Sequence, residues 1–265
     1  MKICCCIKQV PGTTEVKINP ETNTLVREGV GTQINPFDLY ALEEAVRTKE
    51  RMTEAGDEST VTVISMGPPQ AEDALREAIS LGADEAILLS DRAFAGSDTW
   101  CTSYVLAMAV KKIQPDVTFC GMQAIDGDTG QVGPGIAVHN DMAQTAYVAE
   151  IKEIDAKKLV AKRLIEEGYE TVELKLPALV TVVKEINEPR TPSLRGKMAA
   201  KKAEIIKWGA ADLGTPDDKV GLLGSPTQVV KIMTPPCREG GEKYEGEAPE
   251  LVDKLFDTLK CLEVV

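Results

Sequence analysis

The stretch GMQAIDGDTGQVGPGIA, from Gly121 to Ala137, holds five glycines and two aspartates, Asp126 and Asp128, and no Lys or Arg. Glycine lets a backbone turn sharply and bring its N–H groups close to a ligand. Pro134 suits the first turn of a helix beginning near Val132. The start of such a helix carries partial positive charge and unsatisfied amides. A loop of this kind can hold a phosphate through main-chain donors alone, while the aspartates accept from ribose hydroxyls or loop amides. The same glycines also suit a tight turn with no ligand. The stretch lacks the Gly-Lys-Ser/Thr of a P-loop and the G-x-G-x-x-G of ordinary dinucleotide sites.

The rest of the composition removes other chemistry. His139 is the single histidine, and there is no G-x-S-x-G, so a Ser–His–Asp triad has no support. The cysteines Cys4, Cys5, Cys6, Cys101, Cys120, Cys237 and Cys261 form no CxxC and no zinc or iron–sulfur spacing. Cys4–Cys6 lie in an apolar run and read as small buried thiols on alternating faces. His139 is expected on a partly exposed helix face. If the chain takes part in catalysis, a bound cofactor carries the reaction. A net charge of -12 argues against non-specific nucleic-acid binding and against attraction to anionic membranes. No apolar run is long enough to cross a bilayer, and the start MKICCCIKQVPG is too short for a signal-peptide core. The expected location is cytoplasmic.

Elements must position these residues. KICCCIKQV reads as a buried strand stopped by Pro11-Gly12, followed by a polar excursion with a short hairpin. NPFDLYALEEAVRTKERM opens a helix, with Asn35 as a cap, Pro36 in the first turn and Asp38 near the positive end. STVTVISMG, EAILLS and PDVTFCG read as strands, separated by helices in QAEDALREAISLG and after Ser97 or Asp98. This alternation argues for a Rossmann-like α/β fold, a doubly wound, mostly parallel sheet in an αβα sandwich. Beyond about Gln144 the pattern alternates instead, which predicts an antiparallel β extension, with Pro177 at a strand start or edge. The expected organisation is an αβα domain over 1–208, including that extension. A C-terminal arm over 209–265 is rich in Pro and Gly and ends in an amphipathic helix with Leu251, Leu255, Leu259 and Leu262.

Several stretches together resemble the β subunit of electron-transfer flavoproteins: NPFDLYALEEA, SMGPPQAEDALREAISLGADEA, GMQAIDGDTGQVGP, AKRLIEEGYETVELKLPALVT and NEPRTPSLRGKMAAKKAEI. Gly130 departs from the Ala or Asn more usual at its position, and Cys6 from a small residue such as Ala. The resemblance implies a heterodimer with an α subunit that carries most of one FAD site. It implies a second nucleotide in the β subunit, AMP in the ordinary branch and FAD in the electron-bifurcating branch. CIKQVPGTTEVKINPETNTLV and GLLGSPTQVVKIMTPP are similar to the bifurcating branch. There NADH is the electron donor, one electron goes to ferredoxin or flavodoxin, and the other passes through the α-subunit FAD to a dehydrogenase of acyl-CoA or lactate type. An alternative of another class is a non-redox ATP- or AMP-binding module, although no Ser-Gly-Gly-type loop follows the first strand.

Carried over by position, the resemblance places the nucleotide at Cys6, Asn35, Pro36, Phe37, Asp38, Met66, Gly121, Met122, Gln123, Ala124, Ile125, Asp126, Gly127, Asp128, Thr129, Gly130, Gln131 and Val132. Met66 can equally be core, Phe37 an apolar contact at the helix start, and Asn35 a cap. It also makes Leu194 and Arg195 a partner-recognition site, with Lys197, Lys201 and Lys202 available to steer an acidic partner. No residue is assigned as a general acid or base, and no metal is expected.

Overall fold

A computed structural model of the chain describes residues 1–12, 18–19, 24–25, 31–230, 240–241 and 243–264. The first half runs β1 (Lys2–Cys6), β2 (Gln9–Pro11), β3 (Ile18–Asn19), β4 (Thr24–Leu25), β5 (Thr32–Ile34), α1 (Pro36–Glu54), β6 (Thr60–Met66), α2 (Glu72–Ser80), β7 (Glu85–Leu89), α3 (Thr99–Ile113), β8 (Val117–Gly121) and α4 (Val132–His139). The second half runs β9 (Ala143–Ile154), β10 (Lys158–Ile165), β11 (Gly168–Lys175), β12 (Ala178–Val182), α5 (Leu194–Lys202), β13 (Ile206–Trp208), α6 (Ala210–Leu213), α7 (Gly221–Gly224) and α8 (Ala248–Cys261).

The nine-stranded sheet has the order β11-β10-β9-β12-β8-β1-β6-β7-β13. From β9 to β13 every neighbour pair is parallel. In this sheet β10 pairs antiparallel with both β9 and β11, as the extension at one edge. The chain moves outward from β1 through β6 and β7, then returns to place β8 on the other side of β1. That reversal makes the β1/β8 junction the switch point, the place beyond the carboxyl ends of the strands where sheets of this kind form their ligand crevice.

Alternation along the strands builds two cores. Cys5, Val63 and Phe119 face one layer with Leu42, Ala45 and Leu75 of α1 and α2. Cys4, Cys6 and Cys120 face the other with Val105, Ala109 and Ile136 of α3 and α4. The cysteine run is therefore packing material, and its three thiols are free and buried.

One detail differs from the sequence reading. The antiparallel pattern covers β9 to β11, but β12 turns back into the middle of the sheet between β8 and β9, parallel to both. All five of its residues are buried, as a strand covered on both faces requires. The first compact unit runs from Met1 to Val230. Residues beyond 208 are held by helix-capping aspartates: Asp91 accepts from Ala210 N at 2.9 Å, and Asp98 accepts from Thr227 N at 2.9 Å and Thr227 Oγ1 at 2.8 Å. The second unit, Lys231–Val265, contains α8, none of whose residues is buried. Parts of CIKQVPGTTEVKINPETNTLV and of GLLGSPTQVVKIMTPP lie outside the described residues.

Candidate functional site

The crevice is bounded by the ends of β1 and β8, the start of α1 and the loop between β8 and α4. Cys6 lies beside Ile64 on one side and Cys120 on the other, so its floor is apolar and includes two small thiols. Gly121 ends β8 against α1. A Cβ there would fall 2.7 Å from the Phe37 carbonyl carbon and 2.9 Å from the Asp38 nitrogen, so only glycine allows this approach.

Asp38 ties the junction together. Its Oδ2 accepts from Lys8 N at 2.8 Å, and its carboxyl also receives the Gly121 amide. Burial is the largest influence on it and raises its pKa. Hydrogen bonds from Asn35, Lys8 and Gly121 and the charge of Lys8 oppose burial without cancelling it, and the carboxyl is pushed up to about 7.

Asn35 is fully buried, and its side chain makes no cap bond to α1. The expected capping role is therefore replaced by another. Its Nδ2 donates to Gln123 O at 2.8 Å, and its Oδ1 accepts from Ile125 N at 3.1 Å. One amide thus fastens the glycine loop to the helix start in both directions. Within the loop, Asp128 N donates to Ala124 O at 2.8 Å, and Gln123 Nε2 donates to Asp128 Oδ1 at 3.0 Å. Asp128 and Gly130 have φ of 52° and 62°, the left-handed region that Asp tolerates and Gly favours.

The loop ends in α4. Its first turn has no acidic residue, and no side chain caps it. Gly133 seats this helix against the sheet, since a Cβ there would lie 2.6 Å from Thr181 Cγ2. The opening amides are thus fixed in place and not taken by a side chain. Ile125 to Thr129 and Gln131 are exposed, while Met122, Gln123, Ala124 and Val132 are half-buried. An uncapped helix mouth beside an exposed glycine loop fits the diphosphate of a nucleotide.

The structure brings Cys6, Asn35, Pro36, Phe37, Asp38 and the run Gly121 to Val132 to one end of the sheet. Met66 ends β6 at the same rim, half-buried against the α3–α4 core layer. His139 lies at the opposite end of α4 from the mouth, edge-on to Trp100 and Tyr104 at 4.8 and 5.4 Å between ring centres. Burial, then the charge of Lys219, lowers its pKa.

Leu194 and Arg195 open α5 on a separate surface. Leu194 is 78% exposed. Ser193 caps this helix by accepting from Gly196 N at 3.0 Å. Gly196 lies against the Ser80 carbonyl, and Arg76 donates to Ala200 O and Ala203 O at 2.9 and 3.1 Å. The leucine thus projects from a helix anchored to α2.

Two sets of residues escaped the sequence reading. Lys8 reaches the acidic loop, its Nζ 2.6 Å from Asp126 Oδ1. The segment before α5 is held by Arg190, which donates to Glu43 Oε2 at 2.8 Å and to Glu50 Oε1 at 2.7 Å. Burial raises the pKa of Glu43, but Arg190 and Arg47 outweigh it and hold the carboxyl below its ordinary value. The only sequence signal was the density of Glu and Arg on α1, which reads equally well as a solvated face.

The doubly wound sheet, with a glycine loop at its switch point, puts the chain among the αβα proteins of the dinucleotide-fold type. More particularly, it belongs to the electron-transfer flavoprotein family, and its function is that of a β subunit, which pairs with an α subunit. The family's profile, "Electron transfer flavoprotein domain", matches residues 22–213. The chain is 50% identical over 266 residues to "Electron transfer flavoprotein subunit beta" of Thermoanaerobacterium thermosaccharolyticum, covering 100% of both chains. It is 48% identical over 267 residues to "Caffeyl-CoA reductase-Etf complex subunit CarD" of Acetobacterium woodii, again covering 100% of both. It is 43% identical over 263 residues to "Protein FixA" of Bradyrhizobium diazoefficiens, covering 95% of this chain and 90% of that one. No helix among the described residues is long and apolar enough to cross a membrane.

Proposed function

We propose that this β subunit binds FAD in the β1/β8 crevice, takes electrons from NADH and takes part in flavin-based electron bifurcation. One electron is delivered to ferredoxin or flavodoxin. The other passes through the α-subunit FAD to a dehydrogenase of acyl-CoA or lactate type that docks at Leu194 and Arg195. The observation that carries the reading is the uncapped mouth of α4, fixed beside an exposed glycine loop at the switch point of the sheet. The likeness to a subunit named for a caffeyl-CoA reductase complex supports a dehydrogenase-type partner. The resemblance of the opening stretch and the arm to the bifurcating branch supports FAD over AMP.

A flavin bound here supplies hydride acceptance and onward electron delivery. The chain's own residues bind and orient. Main-chain amides at Val132 and Gly133 hold the diphosphate, and Asn35 keeps the loop at a fixed height over the sheet. Gly121 and Asp38 clamp the strand ends so that the floor does not open. Cys6 and Cys120, small and apolar, exclude water beneath the ligand. No side chain in the crevice is needed as a proton donor or base, in keeping with the position of His139 at the far end of α4.

The test is a nucleotide inventory of the purified heterodimer. Denaturation should release two FAD per dimer, and NADH should bleach the flavin absorbance. One FAD with one AMP would replace the bifurcating reading by that of a simple carrier. ATP hydrolysis with no flavin would favour a non-redox module.

A further inference from the structure

An acidic loop is an odd place for a diphosphate, and Lys8 resolves the oddity. Lys8 lies just beyond β1, with its main chain pinned by the bond from its N to Asp38. Its side chain crosses to the loop and pairs with Asp126. The side chains of this pair are 48% and 32% exposed, so the pair is weak and exchanges readily. Asp126 lies six residues before Val132, so the ammonium and the open helix mouth border the same short loop.

We propose that Lys8 is a phosphate counter-ion held in reserve by Asp126. On nucleotide binding its ammonium exchanges the Asp126 carboxylate for a phosphate oxygen. Asp126 is thereby released to accept from a ribose hydroxyl. No bond is made or broken other than hydrogen bonds and ion pairs. Lys8 offsets the repulsion that Asp126 and Asp128 would exert on an anion, and the pairing keeps the ammonium aimed at the loop before the ligand arrives. This inference rests on the nucleotide reading of the crevice.

The experiment uses the full heterodimer, stripped of nucleotide, with adenosine and AMP as probes in titration calorimetry. The ratio of the two affinities isolates the phosphate. Lys8→Gln should lower that ratio about tenfold, the loss of one charge-assisted hydrogen bond. Asp126→Asn should raise it, because the ammonium no longer has to leave a carboxylate, even if both ligands bind more weakly without the ribose acceptor. A merely structural tie would make both substitutions weaken adenosine and AMP alike, leaving the ratio unchanged, and that result overturns the proposal. If wild type binds neither adenosine, AMP nor FAD, the nucleotide reading itself falls, and this inference falls with it. Binding by wild type with an unaltered ratio in Lys8→Gln sinks only the counter-ion.

Discussion

Replacing Asp38 with Asn tests whether burial or hydrogen bonding governs the clamp at the strand ends. Burial raises the carboxyl from 3.8 to about 7 against hydrogen bonds from Asn35, Lys8 and Gly121. In the unfolded chain the proton leaves near pH 4, whereas in the folded chain it stays until near pH 7. The folded state is therefore favoured relative to the unfolded one below both values, and this contribution is lost as pH rises through the window. At about 1.4 kcal/mol per unit, the full window is worth at most about 4 kcal/mol. Between pH 5 and pH 8 the loss should be about 2.5 kcal/mol. Asp38→Asn has no proton to release and lacks this slope. Urea denaturation of both proteins at several pH values isolates the effect, since all other groups are shared. If wild type and variant change in parallel from pH 5 to pH 8, Asp38 is already ionised in the fold. The hydrogen bonds then outweigh burial, and the reasoning fails.

Gly121→Ala drives a Cβ into the Phe37–Asp38 backbone. It should cost about 1–3 kcal/mol in denaturation and lower the nucleotide content of the purified heterodimer. Arg190→Gln leaves the buried Glu43 with Arg47 alone. Because Arg190 is partly exposed, the expected loss is about 1–2 kcal/mol. Burial raises the Glu43 pKa, but its arginine partners hold it lower on balance. The stabilisation is therefore present at neutral pH and lost as pH falls through that lowered value, and acid titration of stability in the two proteins checks it. Leu194→Ala, at a residue 78% exposed, should change stability by no more than about 0.5 kcal/mol while slowing electron transfer to the proposed dehydrogenase partner. Stopped-flow reduction of that partner reads the second effect.

Local pattern made most of the fold legible. The apolar runs at β1, β6, β7 and β8 and the helices between them follow from periodicity and punctuation, which act over a few residues. A helix start at Ser97 or Asp98 was readable for the same reason, and the structure puts the cap at Asp98, which accepts from Cys101 N at 3.1 Å. At β12 the local signal misled. Its apolar residues follow the antiparallel run β9 to β11, and nothing nearby in sequence indicates that it returns to the sheet centre beside β8.

The amino-acid order by itself determined the alternating elements, the placement of a glycine loop after β8 and the presence of a single histidine. Tertiary structure alone decided that Asn35 holds Gln123 and Ile125 rather than capping its own helix, that Lys8 meets Asp126 across 118 positions, and that Arg190 meets Glu43 across 147. Helix and strand periods are written in neighbouring residues. Which distant side chains meet depends on sheet order, and sheet order is settled only when the strands compete for partners in the assembled core.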